Sequence, residues 1–267
     1  MNLENNKFEF KKSKFDILRV EKNIKNDKRK FVNNTNKFPF SAIGLLKLEF
    51  NDEVISYRTG LLISKNIVLT AGHNLYEKRE YPKGTILGSP KKIIFYPGLN
   101  KNKSKFKSYE SNNFFFPKEF KENNKESNLN EFLEDYGLII FKENISEEYF
   151  ELTEFNEKKN YSFYICGYPL NKSENDYTIF NMYIGKGEYQ PNKERCKYIK
   201  RSEFLYSRDL YISYGQSGSG ICYIDKNNKH YVCGVMVRGN DKLGNYYGAL
   251  VTERKMKIIK NIMDNIK

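Results

Sequence analysis

The sequence predicts an all-β protein closed by one C-terminal helix, and two observations carry that reading. Between residues 41 and 251, short runs of alternating apolar and polar residues are cut at regular intervals by Gly, Asn or Asp. This is the pattern of antiparallel hairpins in a barrel or a sandwich. From Thr252 the period changes: Met256, Ile259, Met263 and Ile266 recur at helical spacing, with lysines on the other faces. A chain of 267 residues, 39% hydrophobic and 15% aromatic, can bury a substantial core as one large domain or two small ones.

Taken in order, residues 1–37 read as an N-terminal extension, rich in Lys and Asn and short of apolar periodicity. Strands are expected at 41–50, 54–58, 60–64 and 67–70, the last running into His73, and at 93–96. Residues 98–131 read as a long polar surface loop anchored by Phe114-Phe115-Phe116-Pro117, and 137–141 closes the first half. A charged connector, 143–159, leads to a second set at 161–166, 178–187, 197–206, 210–213, 221–224, 231–237 and 246–251.

Composition excludes several classes. The net charge of +13 raises the question of an anionic partner. The lysines, however, are scattered among acids, no nucleic-acid motif is present, and the aromatics follow strand patterning, so solvated loops are expected and no nucleic-acid partner. No apolar run approaches the length of a membrane span, and no membrane partner is expected. Residues 1–12 are charged throughout and form no signal-peptide core, so a cytoplasmic chain is expected unless another export route serves it. The cysteines Cys166, Cys196, Cys222 and Cys233 have no metal-like spacing and are expected to be reduced and buried; no metal and no cofactor is called for. A hairpin turning at Asn227-Asn228 would set Cys222 opposite Cys233.

The chemistry centres on Tyr214-Gly215-Gln216-Ser217-Gly218-Ser219-Gly220. A serine between glycines, with the apolar run 221–224 behind it, suits a tight turn that lifts one hydroxyl clear of a strand. The N–H groups of Gly215 and Ser217 would then converge as an oxyanion hole. An ordinary Gly/Ser-rich loop has the same composition, so partners must decide. The hydroxyl needs a base, and the base an orienting group. Of the two histidines, His230 follows a hairpin turn and is expected at an exposed strand edge, whereas His73 ends a β-branched strand and small residues, 66–72. Asp135 begins the apolar run 137–141 and is the candidate acid, although strand-start aspartates often bond their own backbone. Asp52 and Asp209 stand in turn-like or charged contexts.

Thr70-Ala71-Gly72-His73, Asp135-Tyr136-Gly137 and Gly215-Gln216-Ser217-Gly218 thus occur in the order His, Asp, Ser. With 34–44, Cys166-Gly167-Tyr168-Pro169 and Gly234–Gly239, the sequence resembles the chymotrypsin-like serine peptidases over about residues 31–266, most closely the V8-like, glutamyl endopeptidase branch. The resemblance implies two packed six-stranded antiparallel β-barrels: 38–145 bearing His73 and Asp135, 146–251 bearing Ser217, and a C-terminal helix over 252–267. It implies a monomeric serine endopeptidase acting on a protein or peptide substrate; a catalytically silent binding module of the same fold is the alternative. The S1 substrate pocket would be walled by Tyr211 at its floor, Ser213, Tyr214, Met236, Arg238 and Gly248.

This chain departs from the family in four places. Gly220 stands where proline is usual, and Gln216 replaces the aspartate that pairs with a freed amino terminus in trypsin-type zymogens. The branch is commonly exported, yet no signal is present here. Met236 replaces the histidine that reads glutamate. With no carboxylate at the floor, a basic P1 residue is disfavoured. An acidic P1 read by Arg238 turned inward is the first expectation; a large apolar or aromatic P1, with Met236 and the tyrosines as walls, comes second and applies if Arg238 faces solvent. By the same resemblance a freed α-amino group is expected near Val20, with Arg19-Val20 as the cut.

Overall fold

Apolar runs within 43–70 build three strands whose buried residues fill one core: β1 (Ile43–Glu49), β2 (Ile55–Leu62) and β3 (Ile67–Thr70). The computed structural model describes residues 5–12, 27–51, 54–80, 84–122, 132–156, 158–172, 178–189, 204–207, 210–240 and 245–266. With β4 (Lys92–Pro97) and β5 (Gly137–Ile140) the first sheet is ordered β4-β1-β2-β3-β5, all antiparallel. The short strands Tyr109–Ser111 and Asn113–Phe115 flank it, the first on β4 and the second on β5. A single residue, Asn112, separates these two edge strands, so the sheet curls until its edges nearly meet, as a barrel requires. Residues 103–115 are therefore less loop-like than composition suggests.

The second sheet holds β6 (Tyr161–Gly167), β7 (Tyr183–Tyr189), β8 (Phe204–Ser207), β9 (Gly220–Ile224), β10 (His230–Asn240) and β11 (Asn245–Leu250), in the order β8-β11-β10-β9-β6-β7. Glu151–Leu152 adds a parallel pair to β10. One apolar cluster, including Leu46, Leu61, Leu69, Phe95 and Leu138, reaches across to Tyr164, Cys166, Val235 and Ala249 of the second sheet. A second cluster, including Phe163, Ile165, Ile221, Met236 and Tyr246, lies within that sheet. The tail helix α2 (Glu253–Asn265) starts at Thr252, whose side chain accepts from the Lys255 N–H, and buries Met256 and Ile259; a one-turn helix, α1 (Gly72–Leu75), carries His73. All-β architecture with a closing helix is what the chain adopts.

Four local expectations are corrected. The two strands expected within 54–64 are one, Ile55–Leu62, because Gly60 lies opposite Gly44 and serves close packing: a Cβ there would meet Val68 Cγ1 at 2.5 Å. Residues 210–213 are not a strand; their polar groups bond to side chains of the adjoining loop, as in Ser213 N–H to Gln216 Oε1 at 3.2 Å. Asp225 N–H bonds the Lys229 carbonyl oxygen, so the hairpin loop has three residues with Asn228 left-handed at φ 61°. That shifts the register by one and pairs Cys222 with Val232, not Cys233; both thiols are free and buried, as is Cys166, while Cys196 lies outside the described residues. His230, finally, is half-buried in β10, its Nδ1 2.7 Å from the Tyr164 hydroxyl and its ring edge-on to Phe38 and Phe150. Burial lowers its pKa.

The amino-terminal segment is tied to both sheets. Lys30–Phe31 pairs with β7, the Thr35 hydroxyl donates to the Gly98 carbonyl oxygen at 2.6 Å, and Phe10 packs edge-on against Tyr57, Tyr96 and Phe180. Residues 13–26, including Arg19-Val20, lie outside the described residues.

Candidate active site

Strand β3 leads to His73 through Ala71 and Gly72, residues small enough to pass close to the 135–136 main chain. A Cβ on Gly72 would stand 3.2 Å from Asp135 Oδ1 and 3.1 Å from the Tyr136 carbonyl oxygen. Asp135 uses both oxygens on one partner: Oδ1 accepts the His73 main-chain N–H at 2.8 Å, and Oδ2 lies 2.8 Å from His73 Nδ1. The Asp135 side chain is 6% exposed and that of His73 25%. A carboxylate only accepts, so Nδ1 carries the proton and Nε2 is left as a basic lone pair.

Among the described residues no hydrogen bond links the Ser217 hydroxyl to His73; Ser217 is joined through its main chain to the residue after this histidine. Its carbonyl oxygen accepts from the Thr59 N–H on β2 at 3.2 Å and from Nδ2 of Asn74, the residue after His73, at 3.0 Å. Thr59 Oγ1 donates to the Gly215 carbonyl oxygen at 2.9 Å, and Thr70 Oγ1 receives the second Asn74 N–H at 2.8 Å. The serine turn of the second sheet is thus docked on β2 and α1 of the first. Gly215 and Gly218 have φ of 95° and 90°, and a Cβ on either would meet a carbonyl oxygen, at 2.4 and 2.2 Å respectively. Both glycines are required by conformation and by space. Among the described residues, the N–H groups of Gly215 and Ser217 have no hydrogen-bond acceptor, whereas those of Gln216, Gly218 and Ser219 are all bonded.

Of the residues expected to wall a pocket, Tyr211 packs on Tyr246 with centroids 5.4 Å apart, Met236 is fully buried, and a Cβ on Gly248 would touch its sulfur at 3.2 Å. Arg58 stacks on the Tyr214 ring at 4.2 Å and bonds its hydroxyl. Arg238 is exposed, with its guanidinium 5.7 Å from the centre of the Phe132 ring, which stacks on Tyr247. Ser213 accepts from Arg29 at 2.8 Å and donates to Asn171 at 2.7 Å.

No protein-family model and no curated protein matches the sequence. Solved structures do match. A Glu endopeptidase is 21% identical, with a TM-score of 0.68 over 90% of this chain and 98% of that one. The chain has the chymotrypsin fold. The protease Anisep from Arthrobacter nicotinovorans superposes with a TM-score of 0.59 at 15% identity, covering 83% of this chain and 93% of its own. A structure named HL collagenase gives 0.60 at 16% identity over 87% and 98%. Within the chymotrypsin fold the His73 and Asp135 segments come from the first sheet and Ser217 from the second.

Sequence reasoning did not single out Thr59, Asn74 or Arg29. Thr59 and Asn74 are buried polar residues beside glycine and histidine, and only their position after folding distinguishes them. Arg29 belongs to a segment without apolar period.

Proposed function

We propose that the protein is a serine endopeptidase with Ser217 as nucleophile, His73 as general base and then acid, Asp135 as the group that orients the imidazole, and the N–H groups of Gly215 and Ser217 as the oxyanion hole. The observation that carries the reading is the double grip of Asp135 on His73, on the same one-turn helix whose Asn74 holds the Ser217 carbonyl oxygen. Ser217 Oγ adds to the substrate carbonyl carbon as its proton passes to His73 Nε2. The carbonyl π pair moves to oxygen, which takes up the two N–H donors that have no acceptor among the described residues. Collapse expels the amine, protonated by His73, and leaves an ester on Ser217; water, deprotonated by His73, then repeats the sequence and frees the acid.

For specificity, the exposed position of Arg238 against Phe132, with Tyr211 half-buried on Tyr246, favours a large apolar or aromatic P1 side chain over the acidic one expected first, with a basic one last. An acidic preference through Arg238 requires its guanidinium to leave Phe132 and turn inward.

The test is labelling with a serine-reactive fluorophosphonate together with peptide turnover. Wild type is expected to label on Ser217. Ser217→Ala and His73→Ala are expected to lose at least about 10⁴-fold in kcat, and His230→Ala to keep its turnover. Comparable labelling of His73→Ala and wild type would end the assignment.

A further inference from the structure

Arg29 is the one arginine in the segment between residue 27 and the first strand, and its side chain is fully buried, at 0% exposure. Its five N–H donors all have acceptors. Nε and Nη2 form a fork on Asp27, at 2.9 Å to Oδ1 and 2.7 Å to Oδ2. The other Nη2 hydrogen goes to Asn171 Oδ1 at 3.2 Å, and Nη1 divides between Ser213 Oγ at 2.8 Å and Gln216 Oε1. A guanidinium is a rigid plane, so these bonds fix the relative positions of residues 27, 171, 213 and 216.

Two of those partners bracket the serine turn. Ser213 precedes Tyr214-Gly215, and Gln216 directly precedes Ser217. Gln216 is fully buried, and its Oε1 also accepts the Ser213 N–H at 3.2 Å, while its Nε2 is buried with no partner among the described residues. An amide that leaves its own NH₂ unsatisfied in order to aim its oxygen at a cation is oriented by that cation. Residues 213 and 216, so held, flank the peptide units that carry the Gly215 and Ser217 N–H groups.

We propose that Arg29 is a positioning residue for the nucleophile loop: an internal cation, brought by the amino-terminal segment, that holds the 213–217 turn in the shape that aims both N–H groups, so that the active protein keeps residues 27–32 joined to its body. This rests on the peptidase reading given above. The segment is built for it, since Lys30–Phe31 is laced to β7, the Val32 N–H bonds the Met182 carbonyl oxygen at 3.0 Å, and Asn100 Nδ2 donates to the Val32 carbonyl oxygen at 3.0 Å. Any cut before Asp27 leaves the assembly whole.

The test compares full-length wild type, Arg29→Ala and Arg29→Lys by peptide kinetics, fluorophosphonate labelling rate and circular dichroism, with the amino terminus of the active wild type sequenced. Arg29→Ala is expected to keep its spectrum and its KM within about threefold while kcat and labelling rate fall roughly 100-fold, the scale of losing one oxyanion donor. Guanidinium chloride at millimolar concentration, too dilute to denature, is expected to enter the vacated site and restore part of the rate to Arg29→Ala and none to Arg29→Lys; urea is expected to do neither. Wild-type kcat in Arg29→Ala, or lost activity that guanidinium does not restore in a folded Arg29→Ala, would overturn the proposal. If Arg29→Ala does not fold, the amino terminus decides: an active form starting at or before Asp27 supports it, one starting after Arg29 refutes it. A wild type that neither turns over peptides nor labels would instead end the peptidase reading, and this inference with it.

Discussion

Asn74 Nδ2 donates to the main-chain oxygen of Ser217 over 3.0 Å, so the residue beside the histidine grips the serine by its backbone. The two sheets meet at the candidate site through this bond and through the Thr59 N–H on the same oxygen.

Asn74→Ala removes that donor and the one on Thr70, leaving Thr59 alone on the Ser217 oxygen. Expected is a loss of about 1–3 kcal/mol of stability and a kcat reduced more than KM. Asn74→Asp, which turns a carboxylate toward a carbonyl oxygen, is expected to be worse than alanine. Equal kcat in wild type and Asn74→Ala would show that the bond does not set the serine.

Gly215→Ala places a methyl 2.4 Å from the Tyr168 carbonyl oxygen at a φ of 95°. Backbone strain of this kind costs of order 1–3 kcal/mol per residue, and the relief available is rotation of the peptide that carries the proposed oxyanion donor. Labelling by fluorophosphonate is therefore expected to slow by a larger factor than the fall in stability accounts for. A variant that labels at the wild-type rate would dissociate this N–H from the chemistry.

Arg238 gives the specificity test. A peptide-library digest read by mass spectrometry is expected to show large apolar or aromatic P1 residues, unchanged in Arg238→Ala, because the guanidinium lies over Phe132. Acidic P1 cleavage abolished by Arg238→Ala would mean that the side chain swings inward, and cleavage after Lys or Arg would overturn the pocket argument altogether.

Acid should act through Asp27. Burial alone would raise its carboxyl, but the Arg29 fork, helped by Lys172, overrides this and lowers the pKa from the usual 3.8 to about 2. A carboxylate depressed on folding contributes stability that is fully present above 3.8 and is lost as pH falls through about 2. Asp27→Asn leaves Arg29 buried without its counter-charge, a change worth roughly 3–5 kcal/mol at neutral pH. In urea titrations the gap between wild type and Asp27→Asn is expected to narrow toward pH 2; a constant gap would remove the ion pair from the account.

The strands were legible as short apolar runs closed by turn residues, as in 93–96 before Pro97-Gly98 and 246–251 after Gly244-Asn245, and α2 because its stripe is helical. His73, Asp135 and Ser217 stood out through their flanking glycines and apolar runs. Where a residue's role depends on something distant, the sequence is silent. Gly60 reads as a strand break until Gly44 is seen across from it. Arg29 reads as one more basic residue in a polar tail until Ser213 and Gln216, 184 and 187 positions away, close around it. The 224–230 turn was misjudged by one residue, since nothing local distinguishes a two-residue loop from a three-residue one with Asn228 left-handed.

The tail helix also bears on when the protein can work. Arg254 pairs with Glu134, and the buried Lys255 ammonium bonds the Leu133 and Leu250 carbonyl oxygens, so the two residues before Asp135 are pinned from α2. During synthesis the ribosome makes Asp135 long before residue 255, and until that helix emerges the acid's loop lacks its clamp. A nascent chain is thus expected to lack the proposed activity until α2 has docked. Stalled ribosome-bound chains ending before Thr252 that already label with fluorophosphonate would show that the delay does not exist.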